Sequence, residues 1–599
     1  MRFPRYTAAG LLAASALSAA PAQADPAART TAETAIGLAA RGGLAAPVGV
    51  AGRPHVVRTP PGVSTVARSG TRRRSLVFFA QLTDAQLADE MSPARLEYQR
   101  PVTGFTGAWR PHEALGPQTF DSAVRNVNLN RLSRMRDSQG RRAKLDFSVV
   151  TGDLSDNHQH NEVRWAVRIL EGGRVDPFSG ARTGPGNRCP GAPAEVRRRL
   201  NAAVAARSYT GVQDPGDYPG RPAAAYGNFY DPERPAPANT PFAALPRHPG
   251  LLERAQRPFR AQGLQTPWYG ARGNHDAVAQ GFFAGRRGAS VATGCRKVMP
   301  PTSLSAPLGN PWDAMRALLR SPRDFTWVPP DPARRFVSAR AYKRLHGRAD
   351  QGHGYRLTPR GERRASAGAA SYYAWSPKPG LRFVSLDTVA EGGGPDGNLD
   401  HPQYRWLKRV LAGARRRDEL VVVYGHHTLE TMLNRRYDEL AGRCKPDLVA
   451  CDADPRRSRP LHLGSGGRAS LSSLLVSVPN VIAYVTGHEH QHRVTPFFRR
   501  GGRSGFWQVT TASHISWPQQ ARLIEVMDNS DGTLSIVNTV LDTAAPIGAP
   551  APGTPAGAMS GGELASLSRL LSANVRGRAT AAAAAPPARN VELVLRDPR

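Results

Sequence analysis

Five apolar runs in the 599-residue sequence each stop at a small residue or a threonine and are followed at once by side chains that bind metals. They deliver Asp84, Asp153, Asn274-His275, His426-His427, and His488 with His490. Two divalent ions about 3.5–4 Å apart need a carboxylate shared between them, because a bridging anion offsets the repulsion of the cations. Histidines, an amide oxygen and one or two carboxylates complete a donor set suited to first-row transition metals. Such a pair holds a hydroxide at neutral pH and clamps a phosphoryl group for in-line attack.

The elements that must position these residues are legible as strand-length runs: Ser75 to Leu82, Leu145 to Thr151, Pro267 to Ala271, Leu420 to Tyr424 and Val481 to Thr486. Val124, Val127 and Leu132 have helical spacing between the first two, which gives a strand-helix-strand unit. Ser371 to Trp375 and Leu381 to Asp387 read as paired strands, and Gln403 to Ala414 as a helix. Two more strands, Phe506 to Thr511 and Arg522 to Met527, precede a hairpin turn at Asp531-Gly532. Strand ends that point the same way converge on one edge of a sheet, so residues distant in sequence can share a pocket. Patterning by itself supports an α/β chain with mixed strands.

Long Gly-, Pro- and Arg-rich stretches at about 172–265 and 280–368 read as insertions, and residues 73–545 as one domain around them. Residues 1–24 have the form of a secretory signal: Arg2 and Arg5, an apolar segment from Ala8 to Ala20, and Ala22-Gln23-Ala24 as a cleavage site. The apolar segment is too short to span a membrane, so the expectation is an exported protein without a transmembrane segment. Residues 25–72 read as a low-complexity leader, and 546–599 as an extension with a helix near Glu563 to Leu571 and a strand-like end, Val591 to Leu595.

Four cysteines allow three pairings, and the preferred set joins Cys189 to Cys295 and Cys444 to Cys451. Paired C-x-x-C knuckles are lacking, which argues against a cysteine zinc site. The net charge of +33 would attract polyanions. Only six basic residues are lysine, and arginine is spread through the loops, so compositional bias explains the charge better than specific nucleic-acid binding does. His158, His160, His353, His401, His492 and His514 read as loop or surface residues, and Asn157 as a capping or turn residue.

Taken in order, Asp84-Ala85-Gln86, Gly152-Asp153, Gly273-Asn274-His275-Asp276, His426-His427 and Gly487-His488-Glu489-His490 resemble the motifs of the calcineurin-like metallophosphoesterase superfamily. Thr83 to Glu90, Ser513 to Gln520 and Arg589 to Leu593 look like a branch of exported actinobacterial metallophosphoesterases. The resemblance covers about 75–530 and implies a four-layer α/β/β/α sandwich with long loop insertions. It further implies that Asp84, Asp153 and His490 hold one metal, and that Asp153 bridges to a second held by Asn274, His426 and His488. His426 is taken over His427 as the first position after its strand. His275 would face the substrate, with Asp276 orienting its imidazole.

One position departs from the pattern: Gln86 stands where the superfamily has a histidine ligand. It is expected to remain near the first metal and to shift preference from zinc toward Mn²⁺, Mg²⁺ or Fe, because its oxygen is a harder, weaker donor. The resemblance implies an exported phosphoesterase with two divalent ions (Mn, Fe, Zn or Mg). Its substrate would be a phosphomonoester or phosphodiester, cleaved by hydroxide held on the metals. The alternatives are a nuclease, a phospholipid-directed phosphodiesterase, or a non-catalytic polyanion-binding protein on the same fold.

Overall fold

The structure is a computed structural model. It describes residues 30–60, 73–95, 97, 100, 107–211, 229–234, 242–277, 280–281, 289–298, 325–346, 354–355, 371–390, 393–434, 461–502, 504–575 and 589–599. In chain order, β1 (Thr34–Arg41), β2 (Leu44–Ala51) and β3 (Val56–Arg58) precede β4 (Arg74–Leu82). Helix α1 (Gly116–Leu129), β5 (Phe147–Val150), α2 (His160–Glu171) and β6 (Trp268–Gly270) follow. Next come β7 (Tyr373–Trp375), β8 (Leu381–Ser385), α3 (His401–Arg416), β9 (Leu420–Tyr424), α4 (Leu471–Val476) and β10 (Val481–Thr486). The remainder holds β11 (Arg493–Phe498), β12 (Gly505–Thr510), β13 (Ala521–Asp528), β14 (Thr533–Leu541), α5 (Gly561–Ala573) and β15 (Val591–Arg596).

These strands build two mixed sheets, ordered β3-β15-β14-β13-β4-β5-β6 and β7-β8-β9-β10-β12-β11. Within the first, β4, β5 and β6 are parallel; within the second, β8, β9, β10 and β12 are parallel. The sheets pack face to face through Phe79, Phe147 and Tyr269 on one side and Trp375, Phe383 and Tyr424 on the other. Phe79 meets Phe383 edge-on at 5.3 Å, and Phe147 meets Trp375 at 4.8 Å. Each such ring contributes about 1.5–3 kcal/mol by leaving water.

The outer faces are covered by helices. Phe120, Ala123, Val124 and Val127 place one apolar stripe of α1 on the first sheet, joined by Trp165, Ala166 and Ile169 of α2. On the second sheet, Tyr404, Leu407, Leu411 and Ala414 of α3 cover Val421 and Val423. Asp400 caps that helix by accepting from the Gln403 amide. The result is the four-layer α/β/β/α arrangement expected from the sequence.

Within the stretch read as a low-complexity leader, residues 34–51 form a β-hairpin closed by Gly42 and Gly43 at positive φ. Its alanine and glycine side chains carry almost no alternation of polarity, so the Gly-Gly turn was the available signal. Residues 546–599 do not stand apart from the domain: β15 lies inside the first sheet between β14 and β3, and α5 packs against α1. Val591, Leu593, Val594 and Leu595 are buried, and the Trp507 indole donates to the Val594 carbonyl at 3.0 Å. Deleting residues 589–599 exposes the β14 ladder and should lower the melting temperature by more than 10 °C or leave the chain insoluble. Differential scanning calorimetry of the soluble fraction measures this.

The insertions are tied to one another. Cys189 and Cys295 form a disulfide across them with Cα atoms 5.6 Å apart, while Cys444 and Cys451 lie outside the described residues. Buried Arg334 reaches Asp89 at 2.9 Å and Ser179 at 2.8 Å, fastening both insertions to the segment after β4. The signal-like segment is also outside the described residues. Among those residues, no helix is long and apolar enough to cross a membrane.

Candidate metal centre

Parallel β4, β5 and β6 carry Asp84, Asp153 and Asn274 to one edge of the first sheet; parallel β9 and β10 carry His426 and His488 to the matching edge of the second. The two edges are stitched together. Gln81 donates to the Thr486 carbonyl at 2.8 Å and accepts from the Thr511 hydroxyl at 2.6 Å, and the His488 amide donates to Asp84 Oδ2 at 3.1 Å.

The cluster that results is dense in acceptors. Asp84 Oδ1 lies 3.3 Å from His490 Nε2 and 4.0 Å from His426 Nε2; Asp153 Oδ2 lies 3.3 Å from His426 Nε2. Asn274 Oδ1 is 3.0 Å from both His426 Nε2 and His488 Nδ1, and those two nitrogens are 3.2 Å apart. His426 Nδ1 lies 2.8 Å from the Thr151 carbonyl, an acceptor only, so Nδ1 carries the proton and neutral Nε2 turns its lone pair inward. Lone pairs facing lone pairs at these distances need a cation among them. Burial opposes charge on His426, but with no metal ion present Asp153 and Asp84 outweigh it, raising its pKa to about 9, so a proton on Nε2 and a metal ion compete for the same inward position. His488 is partly exposed, yet desolvation and the neighbouring His426 push its pKa down to about 3. Asp84, Asp153 and His426 therefore have the chemistry of a cation site, and the donor set fits divalent metals.

Gln86 lies in this cluster. Its Nε2 donates to Asp153 Oδ2 at 3.1 Å and lies 3.3 Å from His490 Nε2, while buried Oε1 has no hydrogen-bond partner. A half-turn of the amide exchanges the two atoms, which puts an oxygen donor where the cation would sit. His427 is close enough to be grouped with His426 and His488. Both of its nitrogens are nevertheless engaged by protein, Nδ1 with Thr388 Oγ1 at 2.7 Å and Nε2 with the Pro395 carbonyl at 2.9 Å.

Backbone strain marks the same residues. Asp84, Gln86, Asp153, His488 and His490 all have φ between 42° and 70°, a region that costs L-residues of order 1–3 kcal/mol each. Glycines make the close approaches: a Cβ on Gly273 would lie 2.1 Å from Asp153 Oδ1, and one on Gly487 would lie 2.4 Å from Asp84 Oδ2.

His275 stands beside the cluster, its amide donating to Asp153 Oδ1 at 2.8 Å. Its ring is not held by Asp276. Nδ1 pairs with Asp156 Oδ1 at 3.1 Å, and Asp156 is fixed in turn by Arg95 at 3.0 Å and by the Gln280 amide. Asp276 points the other way and accepts from the Leu154, Ser155 and Gly273 amides and the Ser155 hydroxyl, so it shapes the loop that carries Asp153. Burial works against charge on His275, yet Asp153 and Asp156 raise its pKa above the ordinary histidine value. Asp156 was the residue missed; a second carboxylate in the loop after β5 was the signal for it.

Of the histidines read as loop or surface residues, His158, His492 and His514 lie in loops but are buried. His514 Nδ1 lies 3.0 Å from the Thr83 carbonyl, and its amide donates to the Asp84 carbonyl at 3.1 Å, bracing the β4 exit.

No family model and no curated protein matches the chain. Among solved structures it is similar to a dimetal phosphatase from Danio rerio, with 12% identity and a TM-score of 0.31 over 79% of this chain and 100% of that one. It is also similar to the structure of PhoD, with 11% identity and a TM-score of 0.28 over 80% of this chain and 68% of that one. The side-chain cluster itself carries the functional reading.

Proposed function

We propose that the protein is a metal-dependent phosphoric ester hydrolase acting outside the cytoplasm on a phosphomonoester or phosphodiester. The observation that carries this is the inward convergence of Asp84, Asp153, Asn274, His426, His488 and His490, donors that repel one another unless cations lie among them. Asp84, Gln86 and His490 would hold one ion, Asn274, His426 and His488 the other, and Asp153 both. Two divalent ions supply Lewis acidity at the phosphoryl oxygens and a water of lowered pKa. The chain's own contribution is the half-buried His275, whose Nδ1 is held by Asp156 and whose pKa Asp153 and Asp156 raise against burial, which favours a proton on Nε2 for the departing oxygen.

The test is hydrolysis of p-nitrophenyl phosphate and bis-p-nitrophenyl phosphate by purified protein with added Mn²⁺, compared with the same protein in chelator. Metal-dependent turnover of either supports the reading; its absence on both, with salt-sensitive polyanion binding retained, favours a binding protein.

Replacing Gln86 by histidine should raise zinc affinity about tenfold or more relative to Mn²⁺, because an imidazole nitrogen replaces a hard amide oxygen. Competitive metal titration of wild type and Gln86→His measures the ratio. An unchanged ratio would remove Gln86 from the coordination sphere.

A further inference from the structure

Arg110 is buried, 4% exposed, and its Nη1 has no hydrogen-bond partner. Among the described residues no carboxylate forms an ion pair with its guanidinium; the nearby Glu113 carboxylate is taken up by Arg95. A buried cation without an anion is costly, and a protein keeps one where a ligand supplies the counter-charge.

Its position says which ligand. The Arg110 amide donates to Glu113 Oε2 at 3.2 Å, Glu113 pairs with Arg95, and Arg95 holds Asp156, the partner of His275. From the other side, His112 Nε2 bonds the Ile515 carbonyl, while the Ile515 amide donates to the Asp84 carbonyl at 3.0 Å. The turn bearing Arg110 is thus clamped to both walls of the metal cluster. Burial lowers the Arg110 pKa against the opposing charges of Glu113, Asp156 and Asp153, none of which forms an ion pair with it, and Arg110 is close enough to His275 to oppose that ring's charge.

We propose that Arg110 is the anion-binding residue of the site, taking a non-bridging oxygen of a phosphoryl group and favouring the dianion of a phosphomonoester over the monoanion of a diester. This rests on the phosphoesterase reading above. The planar guanidinium fork matches phosphate oxygens, and the Asp84 and Asp153 carboxylates belong to the cations, so the ligand's own charge is what remains to pair with it.

The experiment uses the full chain loaded with Mn²⁺ and titrates inorganic phosphate by calorimetry and thermal shift for wild type, Arg110→Met and Arg110→Lys. Phosphate affinity should fall at least about tenfold in Arg110→Met and less in Arg110→Lys, with bound manganese unchanged and the phosphate-free melting temperature equal or higher. Turnover of p-nitrophenyl phosphate should fall more than that of the bis ester. Phosphate binding within twofold of wild type in Arg110→Met overturns the proposal, as does a wild-type protein that binds no phosphate. If Arg110→Met does not fold, full wild-type affinity in Arg110→Lys, whose ammonium lacks the fork, overturns it as well. Arg110-dependent phosphate binding by a wild type that hydrolyses neither ester would sink the phosphoesterase reading and leave this assignment standing.

Discussion

Asp153→Asn should abolish metal-dependent turnover, by about a thousandfold or more, and lower bound manganese by at least one ion per chain. The substitution keeps the shape of the side chain and removes the charge that two cations would share, so the loss is electrostatic and not one of packing. Asp153 Oδ1 is already used by the His275 amide at 2.8 Å, which leaves Oδ2 for the space between His426 and Gln86. An amide has one oxygen for these two tasks. A thousandfold corresponds to about 4 kcal/mol of transition-state stabilisation, ordinary for a group that holds the reacting charge. Elemental analysis beside initial rates decides it: full metal content with rates within tenfold of wild type would remove Asp153 from the bridge.

Asp156→Asn should lower kcat about a hundredfold while KM and metal content stay near wild type. Asp156 is not one of the candidate metal ligands; it pairs with Arg95, fixes the His275 ring and favours its protonated form. The loss should therefore be larger for alkyl phosphates, whose leaving oxygen needs a proton, than for p-nitrophenyl phosphate, whose leaving group departs as a stable anion. A merely structural role would lower both equally. Arg95 keeps Glu97 and Glu113 as partners in the variant, so the destabilisation should stay below the about 3–5 kcal/mol of stripping a buried charge of its only partner.

Much of the fold was legible because its central strands are continuous apolar runs, as strands buried on both faces must be. Val421, Val422 and Val423 leave no helical reading, and the glycine after Tyr424 marks where the run stops. The parallel direction that brings Asp84, Asp153 and Asn274 to one edge was not legible in the sequence; the pairing of β4 with β5 and of β5 with β6 supplies it. What adjacency in sequence could not supply was side-chain direction within a loop. Asp276 follows His275 directly yet turns to the amides of residues 154 and 155, and the more distant Asp156 takes the ring. Arg95 and Arg110 lie in a stretch without periodicity, where only the fold reveals that one is ion-paired with three acids and the other, among the described residues, with none. The hairpin at Thr34–Arg41 was hidden for the opposite reason, small side chains too alike to show two faces.

The place of β15 sets a timetable for the molecule. Its partners β3 and β14 are drawn from opposite ends of the sequence, Val56 pairing with Val591 and Asn538 pairing with the same residue on the other side. The sheet that carries Asp84, Asp153 and Asn274 cannot close until residues 591–596 have been made, however early the other strands appear. Such long-range pairing makes folding slow and leaves the β14 edge open to unwanted strand addition in the interval. An interrupted chain that already contains every candidate ligand would thus still lack the strand that covers the β14 edge.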